Sequence, residues 1–461
     1  MKEFLTTERV DPEKRLVIER VKDFGEIYEV FDKNEAASQS ERCIQCGDPF
    51  CLNKCPLHNY IPQWLKSIAE KDLEFAFKLS NEPSPFPEVM GRVCPHDRLC
   101  EGDCTLNDGH GAITIGSVET HITEAGFKAG YKPEFPGVTT DKKVAIIGSG
   151  PAGLSAATYL LRSGIAVTMY ERADRAGGLL TYGIPNFKLD KKIVERRVSL
   201  LKEAGLELVL NCEVGKDITF EEIADTHDAM FIGVGATKTK SASLNGEKAP
   251  NVYAAIDYLT NIQKKNFKIS YEKKFDFKDL NVVVIGGGDT AMDCLRTAKR
   301  EGARSVTCLY RRDEKNMPGS KKEYKNAMEE GVDFTFLVSP KEILLNESGQ
   351  AIAVEVIKTT LGAKNEDGRQ RMEEVKGSET RVNADVVIMS LGFDPVVPSF
   401  LAENGIETNS WGGIVINEET HETSTSGIYA GGDCFRGADL VVTAAYDGRE
   451  AARSIVDSLL K

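Results

Sequence analysis

An α/β architecture is the fold class this sequence predicts: two parallel-sheet units, one inserted into the other, behind a mainly helical head. Three observations lead there. Residues 144–172 and 282–312 each read as strand, glycine turn, helix and second strand, so one supersecondary unit occurs twice. Their opening strands, VAII (144–147) and VVVI (282–285), are unbroken apolar runs, the pattern of parallel strands buried on both faces. Seven of the 11 cysteines crowd into the first quarter of the chain, ahead of either unit. The expected domains are a head at 1–139, a discontinuous unit at 140–270 and 396–461, and an inserted unit at 271–395.

Bulk properties narrow the functional classes. A chain of 461 residues is too long for a single core, and 41% hydrophobic with 28% charged residues is ordinary for a globular protein. The net charge of −13 argues against nucleic acid and anionic membrane surfaces as partners. The opening MKEFLTTERVDPEKR lacks the basic and apolar regions of a secretory signal, and runs such as 282–285 and 386–391 fall far short of the ~20 residues that span a bilayer. Cysteines without a signal point to a reducing compartment and metal ligation, so a cytoplasmic location is expected.

Residues 1–42 read as helical and charged, without nameable chemistry. Cysteines follow at Cys43, Cys46, Cys51 and Cys55, then at Cys94, Cys100 and Cys104. Between them, Asn59 to about Ser80 reads as one amphipathic helix, capped by Asn59, with Pro62 in its first turn and Ile61, Trp64, Leu65, Ile68 and Leu73 facing a core. The proline-rich 81–89 ends it, and 128–143 reads as a linker.

The first repeated unit carries GSGPAG at 148–153. Gly148 allows the tight turn, Gly150 lets a pyrophosphate approach the backbone beside Pro151 and Ala152, and Gly153 lets helix and strand pack closely. Glu171, 23 residues after Gly148, can accept hydrogen bonds from ribose hydroxyls. The second unit carries Gly286, Gly288 and Ala291 around Asp289 and Thr290, and its second strand ends in Arg311 and Arg312 instead of an acid. An arginine fork there suits a 2′-phosphate, so this unit is expected to prefer NADPH. Two Rossmann-like dinucleotide-binding domains in one chain suggest a two-nucleotide flavoprotein, with FAD in the outer unit. The closing segment 427–460 fits: a strand ends at Gly431-Gly432-Asp433, and a helix starting near Leu440 points its positive end at a flavin edge. The segments 231–238 and 386–395 mark the passages between units.

Three readings of the seven head cysteines compete. Disulfides suit neither the odd count nor a reducing compartment. Zinc usually takes paired Cys-x2-Cys half-sites, and only Cys43/Cys46 has that spacing. The run Cys-x2-Cys-x4-Cys-x3-Cys-Pro stands close to a ferredoxin run, which favours iron–sulfur ligation; two four-iron clusters then need an eighth ligand. Cys212, Cys294, Cys308 and Cys434 read as packing residues.

From ERCIQCGDPFC through GRVCPHDRLCEGDCTLNDG, GGLLTYGIPNFKL (177–189), CLYRRDEKNMPGS (308–320) and GGDCFRGADLVVTAA, the chain resembles, over essentially its full length, the small (β) subunit family of bacterial NADPH-dependent glutamate synthase. Head and flavin unit also resemble the N-terminal half of dihydropyrimidine dehydrogenase and the large subunit of the bifurcating ferredoxin:NADP oxidoreductase. The resemblance implies two [4Fe-4S] clusters, one on Cys43, Cys46, Cys51 and Cys104, the other on Cys55, Cys94, Cys100 and Glu119. It further implies flavin contacts at Gly178, Leu179, Gly432, Asp433, Val442 and Thr443. The implied chemistry is hydride transfer from NADPH to FAD with no catalytic side chain, then single electrons leaving for a large (α) subunit that makes glutamate from glutamine and 2-oxoglutarate. Rival readings are a flavoprotein serving ferredoxin or polysulfide with another partner, a thioredoxin-reductase-like enzyme, which would need a Cys-x-x-Cys where only Cys294 stands, and a non-catalytic subunit with a zinc head.

Overall fold

The computed structural model describes residues 3–364 and 370–461. In the first parallel sheet Lys143–Ile147 is central, flanked by Ala166–Tyr170 and Glu207–Val209 on one side and by Ala229–Ile232 and Ile428–Ala430 on the other. The last strand thus joins a sheet begun almost 300 residues earlier. The closing helix Val441–Leu459 then lies against the glycine-turn helix Pro151–Arg162. Small residues make that approach possible: a Cβ on Gly448 would stand 2.0 Å from the Ala152 carbonyl oxygen, and the Ser155 hydroxyl donates to the Ala445 carbonyl at 2.6 Å.

The second parallel sheet repeats the plan. Asn281–Ile285 lies between Ser305–Tyr310 and Val386–Met389, with Asp333–Phe336 and Val252–Ala254 as edges. A four-stranded antiparallel sheet (Val338–Leu345, Ala351–Lys364, Gln370–Glu374, Thr380–Asn383) is inserted before Val386. The chain passes between the units twice, and the two passages pair with each other, Lys238–Thr239 against Phe393–Asp394. The structure moves one expected boundary. Residues 252–266, expected in the flavin unit, belong with the second sheet: Val252–Ala254 pairs with 387–389, and the helix Ala255–Asn266 buries Tyr258, Leu259 and Ile262 in the second core. A three-residue, half-buried edge strand is too short to carry a period.

The head departs further from its local pattern. Among the described residues, 3–42 hold only the helices Val17–Arg20 and Lys33–Glu41 and one 3-10 turn; the rest is turns and irregular chain. Ion pairs strap it to the second unit, Lys14 to Glu329 at 2.7 Å and Arg20 to Glu330 at 3.0 Å. The helix expected from 59 to 80 is two, Ile61–Ala69 and Leu73–Asn81, broken where Lys71 takes φ +65° and Asp72 caps the second. A further helix, Pro87–Val93, starts inside the proline-rich stretch, where proline fits a first turn. Leu57, Phe86, Val89 and Met90 share one core with Leu154, Leu180 and Val442 of the first unit, and Glu88 accepts from Arg197 at 2.6 Å with both side chains buried. Head and flavin unit are therefore one packed body. No helix among the described residues is long and apolar enough to cross a membrane.

Candidate functional site

Both glycine turns open into one cavity of about 1880 Å³, walled by the two parallel-sheet units and by head residues 92–95 and Arg98. The turns are built alike. Gly148 has φ +100°, and a Cβ there would meet the Gly233 carbonyl oxygen at 2.5 Å; Gly286 has φ +137°, and its Cβ would meet the Ser390 carbonyl oxygen at 2.1 Å. Gly150 and Gly288 have nothing within 4 Å of a Cβ position, so each leaves open space at the start of a 12-residue helix. Such a space suits a pyrophosphate, which takes the free N–H groups and the positive helix end. Both turns thus fit the dinucleotides the sequence implies. Gly153 and Ala291 stay off the cavity: Gly153 packs helix onto strand, 2.0 Å from the Gly148 carbonyl oxygen were it to carry a Cβ, and Ala291 is fully buried in the second core.

Around the first turn, Pro151, Ala152, Glu171, Gly178, Leu179 and Asp433 line the cavity. Glu171 is buried and holds the turn in place. Its Oε2 accepts from Ser149 N and Oγ at 3.0 and 2.5 Å, and its Oε1 from Ala173 N at 2.8 Å. A carboxylate with about four lone-pair sites can still accept from ribose. Burial pushes the Asp433 carboxyl up to about 7. Gly432 sits at φ +76°, its Cβ direction blocked by Ala152 at 2.9 Å. Two residues expected at the flavin are not among those lining this cavity. Val442 lines a cavity of the head, and Thr443 Oγ1 accepts from Leu440 N at 3.1 Å, closing the start of the last helix.

Around the second turn, Asp289, Thr290, Arg311 and Arg312 line the cavity. Neither arginine forms an ion pair among the described residues, and Arg312 Nε is buried without a partner. Their backbone is fixed, since Arg311 O accepts from Thr359 Oγ1 at 2.8 Å and Arg312 O from Leu337 N at 3.1 Å. Two guanidiniums on a rigid strand end fit a phosphate. Asp289 is engaged already, by Ser320 N at 2.8 Å and by Arg98 of the head at 3.0 Å. Sequence reasoning passed over Arg98, and also Lys188, which reaches from the first unit to Asp293 of the second at 2.9 Å. Such pairs join residues far apart in sequence and leave no local signal.

The head gathers its eight predicted ligands into two sets. Cys43, Cys46, Cys51 and Cys104 surround one small cavity with Leu65 and Ile113; Cys55, Cys94, Cys100 and Glu119 surround another with Trp64 and Met90. No three His, Cys, Asp or Glu side chains among the described residues are gathered tightly enough for a single ion. Quartets spread around cavities suit a multi-atom cluster better than zinc, whose thiolates lie about 2.3 Å from one metal. Burial pushes the Cys43 thiol up to about 11 and Cys51 up to about 12, with Cys94 and Cys100 well above the usual range. A cation beside such thiols would offset this cost of burial and favour the thiolate form. Burial likewise pushes Glu119 up to about 8, against the pull of the Asn59 amide, which donates to it at 2.7 Å. Asn59, expected as a helix cap, instead orients this carboxylate and accepts from Trp64 Nε1 at 3.2 Å. Of the other cysteines, Cys294, Cys308 and Cys434 are buried and Cys212 stands on the large cavity.

Comparison with known proteins identifies the families of the two parts. Residues 20–131 match the family described as dihydropyrimidine dehydrogenase domain II, 4Fe-4S cluster, and residues 142–448 match the pyridine nucleotide-disulphide oxidoreductase family. The glutamate synthase [NADPH] small chain of Halomonas elongata is 48% identical over 99% of this chain and 98% of its own length, and that of Escherichia coli is 47% identical over 99% and 98%. AegA of Escherichia coli, named as an oxidoreductase, is 46% identical over 98% of this chain and 70% of its own length. Among solved structures, FprA of Mycobacterium tuberculosis in complex with NADPH shares the fold (TM-score 0.58, 20% identity, 69% of this chain and 85% of that one), as does thioredoxin reductase of T. acidophilum (0.52, 20%, 70% and 100%).

Proposed function

This chain belongs to the family of NADPH-dependent glutamate synthase small chains, an NADPH-dependent FAD oxidoreductase with an iron–sulfur head, and on that premise we propose that it is the electron-input subunit of a glutamate synthase. FAD in the first unit would take hydride from NADPH in the second, and [4Fe-4S] clusters on the two quartets would carry electrons away singly. The chain's own part is to bind, orient and insulate. Gly150 and Gly288 leave room for the two pyrophosphates, and Arg311 and Arg312 hold the 2′-phosphate that sets NADPH apart. The Lys188–Asp293 pair ties the units together beside the cavity, which favours a fixed ring-to-ring approach. No side chain has to hold or move a proton for this reaction.

One observation carries the reading: Cys94 lines both the large nucleotide cavity and the cavity of the Glu119 quartet. The Cys55, Cys94, Cys100 and Glu119 set is thus the nearer station to the flavin, and the Cys43, Cys46, Cys51 and Cys104 set is the outer one. Beside the outer set Phe50 is 53% exposed, a surface on which a large subunit carrying the glutamate-forming chemistry would dock. The test is affinity purification of the tagged chain from its native cells, followed by assay of the product for NADPH-dependent glutamate formation from glutamine and 2-oxoglutarate. Recovery of a large partner with that activity supports the reading, and its absence from an otherwise active NADPH oxidase sinks it. The similarity to AegA, nearly as high, favours a second reading in which the same electron-input chain serves another acceptor. The identity of the co-purified partner separates the two.

A further inference from the structure

Side-chain hydrogen-bond donors are distributed unequally between the two head cavities. In the outer set they are spent on the thiols themselves: Gln45 Nε2 donates to Cys43 Sγ at 3.3 Å, and Thr105 Oγ1 lies 3.4 Å from Cys46 Sγ. In the set nearer the flavin, the Asn59 amide is spent on Glu119, yet two residues of the same cavity wall each carry a buried polar atom with no partner among the described residues. Ser84 is fully buried with its Oγ unbonded, and His96 shows part of its surface while its Nε2 is shut from solvent and unbonded. The rest of that wall is largely apolar, including Leu57, Trp64 and Met90. A buried donor left without an acceptor is costly, so two such residues around one small cavity call for a ligand that accepts hydrogen bonds.

His96 is also held in place. It follows Cys94 by two residues, and its imidazole lies over Gly116, where a Cβ would meet the ring's carbon and nitrogen atoms at 2.3–2.7 Å. Only a glycine at 116 leaves room for the ring in this position. Resting on the reading that Cys55, Cys94, Cys100 and Glu119 hold a cluster, we propose that Ser84 Oγ and His96 Nε2 are positioning donors to that cluster's sulfur atoms and set its potential. The imidazole is then the tautomer protonated at Nε2. Donors to sulfur favour the reduced, more negative form, and one carboxylate ligand in place of a thiolate leaves this cluster's poise dependent on such contacts.

The experiment is a potentiometric titration, followed by electron paramagnetic resonance, of the FAD-loaded and iron-loaded full chain without substrate. Ser84→Ala and His96→Leu should each lower the reduced-to-oxidised ratio of the Glu119-ligated centre about tenfold at fixed potential, ~59 mV for a one-electron couple. His96→Gln and Ser84→Thr, which keep a donor, should restore most of it, and the outer centre should not move. An unchanged potential in both apolar variants, with both centres present, overturns the proposal. Equal shifts of both centres, or no rescue by His96→Gln, would reduce these residues to packing and overturn it as well. If Glu119→Ala and Cys94→Ala leave both signals untouched, the underlying ligand reading fails instead, a result distinct from either.

Discussion

Replacing Arg311 and Arg312 by glutamine, singly and together, tests the assignment of the coenzyme. Both guanidiniums line the nucleotide cavity without an ion-pair partner among the described residues, so their removal is not offset by releasing an acid elsewhere. A hydrogen bond to a charged group contributes about 1.5–3 kcal/mol, and Arg311 is exposed, which puts it at the low end of that range. Roughly tenfold per arginine follows for kcat/KM with NADPH, since ~1.4 kcal/mol is a factor of ten. The double variant should fall short of a full ~100-fold, because both side chains serve one phosphate and their effects couple. NADH lacks that phosphate, so its kcat/KM should stay within about twofold, and the NADPH advantage should collapse through KM with kcat little changed. Steady-state oxidation with an artificial electron acceptor, at constant ionic strength, reads all four numbers. An unaltered NADPH-to-NADH ratio in the double variant, or a parallel loss with NADH, would refute the reasoning.

Other consequences can be checked alongside. Gly150→Ala should fold, because Gly150 has φ −66° and open space around its Cβ position, yet should lose FAD measured by flavin absorbance after gel filtration. Gly153→Ala, with its Cβ 2.0 Å from the Gly148 carbonyl oxygen, should instead lower the thermal midpoint even with FAD in excess. Glu119→Ala should abolish or alter one cluster's paramagnetic signal while flavin content is retained; two unaltered signals would remove Glu119 from the ligands. Burial alone would raise the Glu330 carboxyl, but Arg296 and Arg300 hold it from its usual 4.5 down to about 2. That depression corresponds to about 3 kcal/mol of stability, present above pH ~4.5 and lost as pH falls toward 2. Glu330→Gln should therefore destabilise the second unit at pH 7 and progressively less below pH 4, read by urea unfolding; a difference independent of pH would contradict this.

What could be read from the residues alone was whatever short-range geometry enforces. Gly148 and Gly286 stand where a positive φ and a neighbouring carbonyl leave no room for a Cβ, so both turns were recognisable as turns. The runs VAII and VVVI had to be buried strands, and the closing helix after Gly432-Asp433 could be placed within a residue. Asn59 shows where such reading ends. Its position before Pro62 makes it a plausible cap, yet its amide bonds Glu119, 60 residues away. The largely irregular arm 3–42, expected to be helical, departs for a related reason: its partners are Glu329 and Glu330, some 300 residues on. Val442 lines a cavity of the head because the head shares a core with the flavin unit, a contact no periodicity announces.

The sequence by itself determined the α/β class, the two dinucleotide turns, the arginine pair and a cysteine-rich head, because each depends on residues within one or two turns of chain. Its likeness to a known family also suggested how the seven thiols divide. Only the tertiary structure decided that Cys104 closes around Cys43, Cys46 and Cys51 while Cys55 leaves its neighbours to join Cys94, Cys100 and Glu119. That division depends on how the helices between the cysteines pack, and the same packing brings Cys94 to the wall of the nucleotide cavity and sets Ser84 and His96 on the wall of the cavity that Glu119 lines.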